Sequence, residues 1–236
     1  MHRDRLGLAL TAANGEAACA FDDTVWAYIG FSREPGIPLK RALQADPAMP
    51  MALCLQGYFM HLMGLPGLAA KARSAHAAAL KIGNTTAREK SHVAALGAWC
   101  EGELERTCEI LDGILAEYPR DFLALKLANY LYFYMGDAAK VRDGPARALP
   151  HWDEDTPGYG HLLALHAFGL EESGDYAAAE RAGTGKFDAT GKVVEIIYSV
   201  DDKKNASLIN QAFDAQGFKI YEIYKHKWGR DPEKKL

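Results

Sequence analysis

The sequence predicts a mainly α fold, a solenoid of antiparallel helical hairpins over residues 1–182, followed by a small β-α-β segment. Three observations predict it. An apolar and aromatic pattern recurs in register, Gly and Pro breakers fall at helix-length intervals, and the composition changes abruptly after residue 182.

The recurrence is direct. Ala52-Leu-Cys-Leu-Gln-Gly-Tyr-Phe-Met-His-Leu-Met-Gly64 returns as Ala124-Leu-Lys-Leu-Ala-Asn-Tyr-Leu-Tyr-Phe-Tyr-Met-Gly136, an offset of 72 residues. His92-Val-Ala-Ala-Leu-Gly-Ala-Trp99 returns as His161-Leu-Leu-Ala-Leu-His-Ala-Phe168, an offset of 69. Both are close to twice the roughly 34-residue helix–turn–helix unit of tetratricopeptide repeats. The predicted array is therefore tetratricopeptide-like, a right-handed α-α superhelix whose hairpins bury their apolar faces only by stacking.

Periodicity and punctuation place helices near 15–31, 37–45, 50–63, 67–82, 86–100, 103–117, 121–135, 138–148, 159–173 and 175–182. The breakers Pro35-Gly36, Asp46-Pro47, Gly64 to Gly67, Gly83-Asn84, Gly102, Pro119, Gly136-Asp137, Pro150 and Gly174-Asp175 fall between them. Leu104, Cys108, Leu111 and Leu115 form one stripe with charges opposite, the pattern of an outer helix.

Beyond Ala182 lysine rises from 6 in the first 182 residues to 9 in the last 54, while arginine falls from 11 to 1. Residues 183–191 read as a linker and 192–236 as a docking or dimerising module. In it, Lys192–Val200 is a strand, 203–216 a helix and Phe218–Lys225 a second strand. Some 50 residues of this kind cannot bury their own apolar faces. The module is expected to cap the solenoid or to pair with a second copy in a homodimer.

The net charge of −4 divides into −6 through Arg181 and +2 beyond it, too little to select nucleic acid or membrane by long-range attraction. No run of 18 apolar residues occurs, which argues against a membrane span. Arg3 and Arg5 before Leu6–Ala13 have the look of an export signal, but Asp4 interrupts the basic stretch. Cys19, Cys54, Cys100 and Cys108 lack paired spacing and read as free, buried thiols. These features point to the cytoplasm.

Several segments resemble the tetratricopeptide repeat protein 38 family. They are Leu6–Thr11 with the Asn14-Gly-Glu-Ala-Ala opening, Thr86-Ala-Arg-Glu-Lys-Ser-His92, Leu115–Lys126, Tyr132–Gly136, Val141–Asp143, Pro150-His-Trp152 and Gly169–Tyr176. The resemblance covers nearly all of 1–181 and includes connecting segments as well as helix stripes. It implies a cytosolic helical-repeat protein and brings no catalytic residues. Members continue with further His- and Trp-rich helices where this chain changes composition.

The chemical motifs read as structural. Glu89-x-x-His92 has di-iron ligand spacing but lacks the second copy such a site needs. His161 and His166 are five apart and off one helical face. Gly183-Thr-Gly-Lys186 fails as a phosphate loop, with Glu180 at the first glycine position and Phe187 after the lysine. Asp153-Glu154-Asp155 reads as a solvated loop rather than a cation site. No metal, cofactor or catalytic residue is expected.

Large amphipathic residues on the concave side make interaction hot spots. Tyr58, Trp99, Tyr130, Tyr134 and His161 are the expected partner-binding residues. The function expected is a non-catalytic scaffold holding a protein or peptide in the groove. The alternatives are an enzyme or metal protein using His92, His161 and His166, and a nucleic-acid binder. The second would act through Tyr221, Tyr224, Lys225, Lys227, Trp228 and Arg230, residues that an edge strand protected by lysines explains equally.

Overall fold

The computed structural model describes residues 2–182 apart from 33 and 66. The predicted linker and β-α-β module therefore lie outside the described residues. A two-strand hairpin, β1 (His2–Arg3) and β2 (Ala9–Leu10), opens the chain. Ten helices follow: α1 (Gly15–Ile29), α2 (Gly36–Ala45), α3 (Pro50–Leu62), α4 (Leu68–Leu80), α5 (Ala87–Cys100), α6 (Leu104–Glu117), α7 (Phe122–Met135), α8 (Ala138–Ala148), α9 (Tyr159–Glu172) and α10 (Tyr176–Ala182). Their boundaries fall within about two residues of those read from the sequence, the scatter expected of helix ends.

The local chemistry sets these boundaries. Asn14 caps α1 by accepting from the Ala17 amide, and Asp121 and Asp137 cap α7 and α8 in the same way. Thr86 and Glu89 form a reciprocal capping box at the start of α5. Gly136 ends α7 in the left-handed conformation, with φ of 81°, and the Asp137 amide returns to the Tyr132 carbonyl.

Successive helices pair as antiparallel hairpins, α1 with α2 through α9 with α10. Beyond α1, the odd-numbered helices form one row and the even-numbered ones the other. Burial tells the rows apart. In α3 and α7 nearly every residue through Phe59 and Tyr132 is buried, so these helices are covered on all sides. By contrast, α6 buries Thr107, Cys108, Leu111 and Ile114, and α8 only Val141, Pro145 and Ala148, the narrow stripes of an outer row.

In a simple solenoid each hairpin meets only its neighbours. Here α1 departs from that rule. Its Tyr28 ring meets Phe59 of α3 at 5.4 Å, and its last carbonyls accept hydrogen bonds from Lys126 of α7. Its Trp26 ring lies 6.5 Å from His161 of α9. The contacts with α7 and α9 reach beyond the neighbouring hairpin and set α1 against the inner side of the row. The chain's own first helix thus lies against the inner row, where the sequence reading expected an open groove.

The stretch Leu6–Ala13, considered above as an export signal, supplies the second strand and the entry to α1. Asp4 closes the hairpin turn by accepting from the Leu6 and Leu8 amides at 3.0 and 2.8 Å. Leu10 is wholly buried. Among the described residues no helix is long and apolar enough to cross a membrane.

Among the glycines, Gly169 of α9 makes the tightest approach to another helix's backbone. A Cβ there would fall 2.5 Å from the Arg142 Cα and 2.6 Å from the Val141 carbonyl oxygen of α8. Gly169→Ala is expected to cost more than about 3 kcal/mol, because the atoms in the way are backbone. Gly113→Ala, in open space on α6, is expected to stabilise by ~0.5–1 kcal/mol. Urea denaturation of the two variants beside the parent checks both signs.

Candidate functional site

Glu89 and His92, the pair with metal-ligand spacing, are both wholly buried and fully engaged. Glu89 accepts from the Thr11 amide at 2.8 Å, the Thr11 hydroxyl at 2.7 Å and the Thr86 amide at 2.8 Å. His92 Nε2 meets Asp121 Oδ2 at 3.0 Å, and that oxygen also accepts from Arg88 Nη1 at 2.8 Å. A second guanidinium nitrogen of Arg88 donates to the Ala9 carbonyl at 3.0 Å. Burial alone would raise the Asp121 pKa. His92 and Arg88, with the His92 and Ala124 hydrogen bonds, outweigh it and hold this carboxyl well below the usual carboxylate range. Burial is likewise the largest influence on Asp4, raising it to about 6 against its hydrogen bond from Leu8 and the attraction of Arg88. This cluster joins the N-terminal hairpin, α5 and α7, and its lone pairs point at protein donors.

The remaining motifs are also placed. His161 faces α1 through Trp26, whereas His166 lies half-buried beside the Arg142 backbone of α8. The two therefore do not converge. Asp153 turns back to the Thr156 hydroxyl at 2.7 Å. Among the described residues no three His, Cys, Asp or Glu side chains form a metal-binding group. All four thiols are free, but only Cys54 and Cys108 are buried. Cys19 is exposed on α1, and Cys100 is half-buried against His61 Nε2 at 3.4 Å. Gly183–Lys186 lies outside the described residues.

The five expected partner-binding residues separate into two sets. Tyr58 and Trp99 are 0% and 8% exposed and do not face a groove. The Tyr58 ring sits between α3 and α5, and its hydroxyl donates to the His92 carbonyl at 2.8 Å. Trp99 is stacked on His61, with centroids 5.2 Å apart and planes 13° apart. Both are core residues, because α3 and α5 pack here too closely to leave an open face. Gly57 already meets Leu96 with no room for a Cβ.

Tyr130, Tyr134 and His161 line the inner side of α7 and α9. Tyr130 and Tyr134 are stacked one helical turn apart at 6.1 Å, and Tyr134 is 75% exposed. They continue the α7 face on which Lys126 stands, just past the point where α1 ends. Lys126 is the central group missed by the sequence reading. Its Nζ donates to the Tyr28 and Ile29 carbonyls at 3.1 and 2.9 Å and lies 3.6 Å from the Phe31 ring centroid. A cation is favoured at a helix C-terminus and over an aromatic face. Burial nevertheless lowers its pKa to about 7. Burial, and then the nearness of Lys126, lowers His161 to about 4.

Phe31 itself has φ of 54° and is 57% exposed. A bulky side chain held in the left-handed region is strained. Met63 and Leu65, in the turn after α3, are each 59% exposed. The uncovered end of the inner row is thus aromatic and aliphatic, with one buried amine behind it. The readable signal was Lys126 itself, a lone charge inside an otherwise apolar helix.

At the other end of α7 a cavity of about 410 Å³ opens between Leu6, Leu8, Tyr118 and Trp152. Its rim sets Glu117 and Asp153 against Arg120, a mixture that selects no ligand charge.

No family model matches the chain. Among solved structures it is similar to a tetratricopeptide repeat protein from Parabacteroides merdae, at 15% identity over 87% of this chain and 67% of that one, with a TM-score of 0.45. It is also similar to PilF of Pseudomonas aeruginosa, at 14% identity over 85% of this chain and 84% of that one, with a TM-score of 0.41. Likeness at these values carries no information on function.

Two predictions follow from the buried charges. A lowered lysine pKa means that the folded chain binds fewer protons than the unfolded chain between about pH 7 and pH 10. Stability should therefore rise with pH from 7 to about 8, below the ordinary titration of cysteine, since burial raises the Cys54, Cys100 and Cys108 thiols and gives the opposite slope above it. Lys126→Met should flatten that rise, as chemical denaturation across the range will show. For Asp121 the slope has the same sign in a more acidic window: its contribution is present above about pH 4 and is lost as acid protonates it. Asp121→Asn should cost about 3 kcal/mol at pH 7 by leaving Arg88 uncompensated, with the deficit shrinking on acidification.

Proposed function

We propose that this chain is a non-catalytic helical-repeat scaffold that takes a protein or peptide segment on the end of its inner row left uncovered by α1. The observation that carries the reading is the exposed ladder of Tyr130 and Tyr134 beside the strained Phe31, an aromatic surface backed by a rigid helix. Solvent-facing aromatic anchors on a fixed scaffold are the usual hot spots of protein recognition. His161 belongs to the same inner face and lies beside Trp26. An enzymatic reading has less support, because Glu89, His92 and Asp121 are all spent on holding the fold together.

The resemblance to the tetratricopeptide repeat protein 38 family supports the scaffold reading and a cytoplasmic location. Residues 192–236 remain proposed as a docking or dimerising module.

Selection of short random peptides displayed on phage against the full chain tests the reading. Enriched peptides are expected to bind the parent and to weaken at least about tenfold on Tyr134→Ala, which is ~1.4 kcal/mol. Enrichment of nothing, or binding indifferent to Tyr130→Ala and Tyr134→Ala together, would contradict it.

A further inference from the structure

The exposed large apolar residues are not scattered. Seven occur among the described residues: Phe31, Ile37, Met63, Leu65, Leu80, Tyr134 and Tyr176. All but Leu80 lie where an odd-numbered helix ends or the next even-numbered helix begins. In an array of antiparallel hairpins those positions gather on one edge. The patch is continuous with the uncovered end of the inner row. Met63 stands one turn beyond Phe59, which meets Tyr28; the amine of Lys126 lies over Tyr28 at 4.9 Å and Phe31 at 3.6 Å; Tyr130 and Tyr134 complete the run. Contiguous apolar surface of this kind marks an interaction site on a soluble domain.

Charge narrows the kind of partner. The turns on this edge, 30–35, 63–67, 101–103, 136–137 and 173–175, carry Glu34, Glu101, Glu103, Asp137 and Asp175 against one arginine. Glu101 and Glu103 are exposed, while Asp137 and Asp175 cap α8 and α10. The turn holding Met63 and Leu65 has no charged residue at all. The turns are thus apolar around Met63 and Leu65 and acidic elsewhere, with Arg73 of α4 and Lys140 of α8 set back from them in the adjoining helices. Such a surface repels phosphate-bearing partners, whether anionic lipid or nucleic acid, and attracts cations.

Resting on the scaffold reading above, we infer that the turn edge docks a basic amphipathic segment of a partner protein. Its apolar side chains would sit on Phe31, Met63, Leu65 and Tyr134, and its Lys or Arg residues would face Glu34, Glu101 and Glu103. Attraction between exposed charges makes the association salt-dependent.

The test is fluorescence anisotropy of the full chain with two designed helical peptides of one apolar pattern, one carrying lysines and one glutamates on the polar face. The lysine peptide is expected to bind and the glutamate peptide not. Met63→Ser with Leu65→Ser, both in an exposed turn, should weaken the lysine peptide about tenfold or more. Glu101→Lys with Glu103→Lys should weaken it severalfold, and raised salt should do the same. Equal binding of the two peptides, indifference to both double variants, or preferential binding of phosphatidylserine vesicles would overturn the inference. A display-selected peptide that still depends on Tyr134 would in that case leave the scaffold reading standing without this partner class.

Discussion

A carboxylate buried as completely as that of Asp121 is tolerated only where partners offset its lost hydration. Arg88 and His92 supply the offset across one oxygen, and the Ala124 amide supplies it at the other. The same arginine reaches back to the Ala9 carbonyl, and its neighbour Glu89 holds Thr11 by both amide and hydroxyl. His92 in turn receives the Tyr58 hydroxyl at its own carbonyl. One charged cluster therefore joins the N-terminal hairpin, α3, α5 and α7. Leu10, Phe21, Leu55 and Leu125 belong to the apolar core that joins the same elements. The ion cluster fixes which segments meet, since any other pairing would strand a buried charge.

Fixing the N-terminal segment against α5 decides where α1 goes. Its N-terminal end is tied to the α2–α3 turn, because Asp46 accepts from the Ala13 amide at 2.7 Å and the Asn14 amide group donates to the Ala45 carbonyl. Asp22 is held by Arg5 at 2.8 Å, and the C-terminal end is capped by Lys126. Bound at all three places, α1 is held against the inner row. The surface left for recognition is displaced to the end of the inner row and the edge of hairpin turns. There the exposed aromatic and aliphatic residues are found, and there the acidic turns are concentrated.

Much of this was legible in the sequence, and the parts that were not share a cause. Helix limits could be read because local chemistry sets them: the Thr86–Glu89 box, the Asp121 and Asp137 caps and the Gly136 stop act within a few residues. What could not be read depends on residues far apart in the chain. Lys126 meets Ile29 across 97 positions, and Arg88 meets Ala9 across 79. No periodicity encodes such pairs. Tyr58 and Trp99 were expected on a groove because helical spacing cannot say which of two apolar faces meets a neighbouring helix. The two-residue strands of the N-terminal hairpin are too short to show alternation.

The central claim is that α1 is an integral filler of the inner row rather than a detachable arm. Native-state hydrogen exchange tests it most directly, because it reports the free energy at which each segment opens. The amides of Phe21–Ile29 are predicted to exchange only with global unfolding, at the same denaturant dependence as those of α7. Exchange of α1 through a smaller opening, while α3, α5 and α7 stay protected, would contradict the account.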